Sequence, residues 1–176
     1  MKGDARDVAA RDVRWPSLCE ELRGRCTSIV DLWNTAVELE PWILSGEHAR
    51  ADFVPELVEC IAEATLCDPP SRRSIFVLAE TAARHATARA EAGADHARVV
   101  LEYYLLRNAI WAFFRERSER EAPGAAAILH VDLAISIATR AALIGYYRLQ
   151  FEAQGQWPGA LHRLVDEIPL VWTIEG

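Results

Sequence analysis

The sequence predicts an all-α protein, a single bundle of five or six mostly antiparallel helices. Three observations carry that prediction. Apolar residues recur at three- and four-residue steps through five long segments. No stretch alternates with a two-residue period for long. Helix breakers separate the segments: "PWILSG", "CDPPS", Gly93 and "APG".

The elements follow in order. Residues 1–15 are polar and read as a flexible N-terminal segment. A first helix follows Pro16, with Ser17 as its cap and Leu18, Leu22, Ile29, Trp33 and Ala36 along its inner face, and it stops near Glu40. A second starts near Ala51 or Asp52, tolerates Pro55 in its first turn and carries Phe53, Leu57, Ile61 and Ala64 as its stripe. Ser71 caps a third helix, with Ile75, Leu78, Ala82, His85 and Ala86 on one side, and Gly93 is suited to its C-terminus. Asp95 caps a fourth, running to about Glu119 with Val99, Val100, Tyr103, Leu106, Ile110 and Phe113 in phase. A fifth spans about Ala125 to Ala153 and is apolar on two sides, so it is either central or dimerising. The bundle therefore covers 16–155. Residues 156–176 form a tail that packs on it through one small helix and a strand-like end.

With 176 residues, 51% of them hydrophobic, the chain can bury a core as one domain. Its formal net charge of -7 and scattered arginines argue against nucleic acid, which demands a basic face. No run is read as a membrane span, and the charged N-terminus lacks the apolar core of a secretory signal, so the expected location is cytoplasmic. Cys19 and Cys26 stand seven residues apart, as do Cys60 and Cys67, about 10 Å along a helix axis. Neither pair can chelate one metal ion. On two antiparallel helices Cys19 can approach Cys67 and Cys26 can approach Cys60, which permits disulfides or redox sensing. The alternative is four small buried apolar residues in a reducing compartment.

The stretch "RVVLEYYLLRNAIWAFF" sets Glu102 and Arg107 into a core-like helix. A tight turn around Gly93 makes the third and fourth helices antiparallel, so residues whose numbers sum to about 187 lie opposite each other. His85 then faces Glu102, Glu80 faces Arg107, and Arg98 lies one turn before Glu102. A carboxylate beside an imidazole favours the charged ring and permits a pH-responsive pair. Three roles remain open: a polar ladder that fixes register, a ligand or signal site near His85, Glu102 and Arg107, or catalysis.

Five stretches, in order, resemble the N-terminal domain of the RsbT co-antagonist (RsbRD-type) family, found at the head of bacterial stress regulators and many sensor histidine kinases. "SIVDLWNTAVELEP" is similar to its opening helix, with Trp33, and "FVPELVECIAEA" to its second. "ARHATARAEAG" resembles its third, with His85, Arg89 and Gly93, although Ala86 stands where the family often has Gly. "VVLEYYLLRNAI" resembles its fourth, with Glu102, Tyr103, Leu106 and Arg107, and "VDLAISIATRAAL" the next, with Asp132. The resemblance covers about residues 25–150. It implies a helical, non-catalytic input module, for which a globin-like arrangement without haem is the analogue, and no cofactor. The candidate ligand or signal site comprises His85, Arg89, Glu102, Tyr103 and Arg107. The resemblance also implies an output module elsewhere, so the chain is expected to be a free-standing input module or a segment of a longer sensor.

No catalytic motif is found. The five histidines form no i, i+4 metal pair and no Glu-x-x-His motif, and there is no P-loop, GxGxxG or nucleophile elbow. His85 is the one histidine placed on an inner face, where a hydrogen-bonded core residue is commoner than a ligand. The expectation is thus a cytoplasmic bacterial homodimer with a kinase or regulator as protein partner and room for a small-molecule effector. The competing readings are a dimerisation scaffold without a ligand, a small-molecule-binding repressor, and an enzyme the motifs miss.

Overall fold

The computed structural model describes residues 14–40, 53–65, 71–118 and 125–168. The fold is all-α. Among the described residues eight helices form: α1 (Arg14–Gly24), α2 (Cys26–Leu39), α3 (Val54–Thr65), α4 (Arg72–Glu91), α5 (His96–Ser118), α6 (Ala125–Tyr146), α7 (Arg148–Ala153) and α8 (Gly159–Glu167). The expected strand-like end and residues 1–13 of the expected N-terminal segment lie outside them; Arg14 and Trp15, expected in that segment, and Ser17, expected as a cap, fall within α1, which starts ahead of Pro16.

Two helices expected as continuous are broken. The first divides at Arg25 (φ -99°, ψ 7°) and the fifth at Tyr147 (φ -92°, ψ 21°), both in the sparsely allowed bridge region between helix and strand. Each break keeps an i to i−4 hydrogen bond, from Arg25 N–H to Glu21 and from Tyr147 N–H to Leu143. Apolar spacing therefore continues almost in phase across the kink, and periodicity alone does not register it.

Helix ends form where local chemistry dictates. Ser71 and Ser74 make a reciprocal capping box at the start of α4. That helix ends in a Schellman turn: Gly93, at φ 84°, donates to Ala90, and Ala94 N–H donates to Arg89. Two residues on, the Asp95 carboxylate accepts from Arg98 N–H at 2.7 Å and caps α5. The Tyr146 hydroxyl donates to Ala94 O at 2.9 Å and ties this turn to the end of α6.

The packing is centred on α6. Its Val131, Ala134, Ile135, Ile137, Ala138, Ala141 and Ala142 are buried. It lies most extensively against α4 and also meets α3, α5 and α8. The contact with α4 is close because both faces are lined by alanine, and because Thr87 Oγ1 donates across it to Gly145 O at 2.9 Å. Contrary to the reading of the sequence, Ile128–Tyr146 does have the length and apolarity of a membrane span; in this fold it is the central helix of the bundle. The described part of the tail lies against the bundle: Leu161, Leu164 and Val165 of α8 are buried, His162 stacks on Phe76, and Asp166 pairs with Arg72.

One expectation about neighbours needs correction. α4 and α5 are antiparallel near their turn but share few contacts beyond it, because α5 swings onto α2 and α6. The 187 rule therefore holds close to Gly93 and fails farther out.

Candidate functional site: a buried carboxylate shared by three helices

Glu102 sits two turns into α5 with 2% of its side chain exposed. Burying a carboxylate is costly unless charges and hydrogen bonds replace its water. Two helices supply them. From α4, His85 Nε2 lies 2.9 Å and Arg89 Nε 3.0 Å from Glu102 Oε2. From α5 itself, Arg98 Nε lies 3.5 Å from Oε1, one turn back. The third helix contributes through the backbone: the buried Trp33 of α2 donates Nε1–H to Glu102 O at 2.9 Å.

His85 is equally buried. Its Nδ1 has no hydrogen-bond partner, so the neutral ring carries its hydrogen on Nε2 and donates it to Glu102. Edge-on rings of Phe53 (5.9 Å) and Tyr103 (5.8 Å) enclose the imidazole. Burial first, and then the charge of Glu102, push the Tyr103 phenol well above its ordinary range, against the pull of Arg89. It stays a hydroxyl and donates to Ala82 O at 3.3 Å.

Four of the five residues singled out from the sequence, His85, Arg89, Glu102 and Tyr103, therefore meet. Arg107 does not join them. Its guanidinium pairs with Asp132 of α6 at 2.5 Å, about half exposed, and the expected partner Glu80 is a solvent-facing residue of α4. The divergence of α5 from α4 explains the exchange of partners. Arg98 was visible from its i, i+4 spacing. Trp33 as a donor to Glu102 was missed; the one available signal was that a buried indole N–H needs an acceptor, which names no partner.

The arrangement gathers its hydrogen bonds on one carboxylate oxygen, Oε2, while the buried Oε1 has the Arg98 guanidinium at ion-pair distance and no hydrogen bond. Among the described residues no three His, Cys, Asp or Glu side chains converge as metal ligands. The cluster's chemistry is that of a lock between helices: breaking it requires a competitor for Glu102 or a displacement of α4, α5 or α2.

The cysteines divide. Cys19 is disulfide-bonded, whereas Cys26 and Cys60 are free and half-buried, so all four are not the inert buried thiols of the alternative reading. Cys26 does not meet Cys60. Its sulfur faces Pro55 O at 3.7 Å, while Cys60 faces the Thr81 hydroxyl at 3.8 Å. Burial raises both thiols above their ordinary value.

No protein-family model, curated protein or solved structure matches the chain.

Proposed function

We propose that this protein is a non-catalytic signal-input module of the RsbT co-antagonist (RsbRD-type) kind. It acts by binding and feeds a bacterial stress-regulator or histidine-kinase pathway in the cytoplasm. The observation that supports this reading most directly is the Glu102 cluster. Trp33, His85, Arg89 and Glu102 come from three separate stretches that carry the resemblance, and they meet at one residue, with His85 and Arg89 on the Glu102 carboxylate and Trp33 on its backbone carbonyl. Two further motif positions, Arg107 and Asp132, pair with each other.

A buried ion cluster adds little net stability and is better suited to fixing one arrangement of helices over another. An effector or protein partner that shifts α4 against α5 would break the His85 and Arg89 bonds together, which makes the change discrete. The partner in this reading is a kinase or regulator, and the protein works as a homodimer. A dimerisation scaffold without a ligand is the second reading. Leu129 and Leu133 on α6 and Val100 and Tyr104 on α5 favour it, since all four are exposed.

Native mass spectrometry of the purified protein against its denatured mass tests both readings. A dimer that carries extra mass lost on denaturation supports an effector-binding input module. A bare dimer favours the scaffold. A bare monomer at micromolar concentration overturns the homodimeric module in either form.

A further inference from the structure

Among the described residues, six of the eight large apolar side chains left exposed lie on three helices: Leu32 and Leu39 on α2, Val100 and Tyr104 on α5, Leu129 and Leu133 on α6. Such a concentration marks an interaction surface more than scattered surface residues do. The three helices are neighbours, because α2 and α6 both pack on α5. Two ion pairs fix the order. Glu116 of α5 reaches Arg25 of α2, and Arg107 of α5 reaches Asp132 of α6. Glu116 and Arg107 are separated by about two and a half turns, so they project from opposite sides of α5. Arg25, Leu32 and Leu39 recur at a seven-residue step, so both leucines follow Arg25 along the α5 side of α2. Between the two flanks of α5 runs an exposed strip of Ala97, Tyr104, Asn108 and Arg115. Val100 and the half-buried Trp111 edge it on the Arg107 side, and the half-buried Leu101 and Ala112 on the Glu116 side.

We propose that this three-helix face, centred on Tyr104, docks a second copy of the chain, with the two α5 helices antiparallel about a two-fold axis. The inference rests on the input-module reading for the homodimeric state and adds to it the surface and the register.

Charge, pattern and area select a second copy as the occupant. Two chains of net charge -7 repel unless they meet where the charge is cancelled. The α5 strip carries none of the negative excess: the ion pairs on its flanks are internally neutral, and its own charged residue, Arg115, is a cation. The strip is also complementary to itself. In a two-fold antiparallel contact, edges on the same side of the two helices meet. With the axis level with Leu106, Tyr104 of one copy faces Asn108 of the other, hydroxyl against amide. Val100 then faces Trp111, and Leu101 faces the smaller Ala112, so large side chains do not collide with large ones along that edge. The strip from Ala97 to Arg115 runs about 27 Å. Three helices side by side are about 20 Å across. Each copy therefore brings about 500 Å², and the pair buries about 1,000 Å², the lower bound for a specific interface.

The same helix carries Glu102 on its inner side, held by Arg98 one turn back and by His85 and Arg89 of α4. Glu102 and Tyr104 are two residues apart and project from nearly opposite sides of α5. One side of α5 thus packs on the buried carboxylate cluster and the other on the second copy. A displacement of α5 that breaks the cluster in one chain also disturbs the strip that the other chain grips, which couples the two clusters across the axis.

The test uses the full chain. Sedimentation velocity at micromolar concentration should show the wild type as a dimer. Tyr104→Arg sets two cations at the centre of the contact and should raise the dimer Kd by at least about 30-fold. Its far-UV circular dichroism should match the wild type, because Tyr104 is exposed in the single chain. Val77→Arg, at an exposed apolar position on α4, should leave the dimer intact. Oxidative cross-linking then reads the register. Positions 97 and 115 lie about 27 Å apart on one α5 and meet only across the antiparallel contact. Ala97→Cys and Arg115→Cys combined in one chain should therefore give a covalent dimer on a non-reducing gel. Either substitution alone should give no more than the wild-type background. A wild-type dimer that survives Tyr104→Arg overturns this face and leaves the homodimeric module standing. Single variants that cross-link as well as the double variant overturn the antiparallel register. A wild-type monomer overturns both the face and the homodimeric module, and the exposed strip then belongs to a different protein.

Discussion

Glu102 keeps a carboxylate inside the bundle because His85, Arg89 and Arg98 stand where its water would be. An acidic residue among Val99, Tyr103 and Leu106 announces a buried charge, and the short turn at Gly93 identifies His85 as its partner. Local geometry also fixes Arg98, one turn away. Trp33 stands 69 residues from Glu102 along the chain, and no spacing rule reaches that far. Because Arg89 and Arg98 both face this carboxylate, removing its charge is costlier than the pair's net worth. Glu102→Gln should destabilise the fold by about 3 kcal/mol, read as a lower denaturation midpoint in urea with an unchanged slope. A loss under about 0.5 kcal/mol would mean that water already screens the cluster. A second residue supplies a pH dependence. His130 on α6 is half-buried; its burial lowers its pKa below the ordinary 6.5, outweighing a hydrogen bond to the backbone of Thr65. The unfolded ring therefore takes up a proton at a higher pH than the folded one. The stability His130 contributes is complete above pH 6.5 and is lost as pH falls through the lower, folded value. The stability difference between the wild type and His130→Asn should be flat from about pH 7 upward and shrink steadily below about pH 6. A difference independent of pH across that range would contradict the burial effect.

Among the elements, three of the four expected caps were legible, Ser17 failing because α1 already starts at Arg14, and crossings were the least legible. Ser71, Gly93 and Asp95 act on backbone groups within four residues, so residue type and position suffice to place them. The breaks at Arg25 and Tyr147 were hidden because the apolar stripe runs across both. The partner of α4 was hidden too. Its sequence neighbour α5 was the natural choice, yet α6 packs on it far more closely, since the small residues Ala79, Ala82, Ala83 and Ala86 admit a helix lined with Ala138, Ala141, Ala142 and Gly145. Gly145 marks the tightest point. A Cβ there would lie 2.2 Å from Ala83 O and 2.5 Å from Ala83 Cα, which are backbone atoms with no rotamer to yield. Gly145→Ala would help an isolated helix by about 1 kcal/mol. Here overpacking should reverse that sign and cost about 3 kcal/mol, seen as a fall in Tm of several degrees. A neutral or stabilising effect would show that α4 and α6 can separate without cost, and the Thr87 to Gly145 bond would then be incidental.

For the whole molecule, the decisive tension is in α6, which is central on most of its surface and yet presents Leu129 at 61% and Leu133 at 39% exposure. A core helix gains little from leucine at such positions, since the full burial of a leucine side chain is worth about 2 kcal/mol, and Leu129 leaves most of that and Leu133 part of it uncollected in the single chain. Farther along the same face, Ser136 and Arg140 are also exposed, so the apolar part is confined to the N-terminal half of the helix. The adjoining Arg107–Asp132 pair links that half to α5, which exposes Tyr104 one turn before Arg107. If the protein is a homodimer through this face, Leu129→Asp combined with Leu133→Asp should place four carboxylates in one interface and convert the dimer to monomers at micromolar concentration, as sedimentation velocity would show. The folded monomer should barely notice, because substitutions at exposed positions change stability by about 0.5 kcal/mol or less each. That separation makes the outcome readable. Monomers that unfold at the wild-type midpoint place the interface on α6. A variant that remains dimeric moves the interface to another face, and the exposed leucines would then need a different partner to explain them.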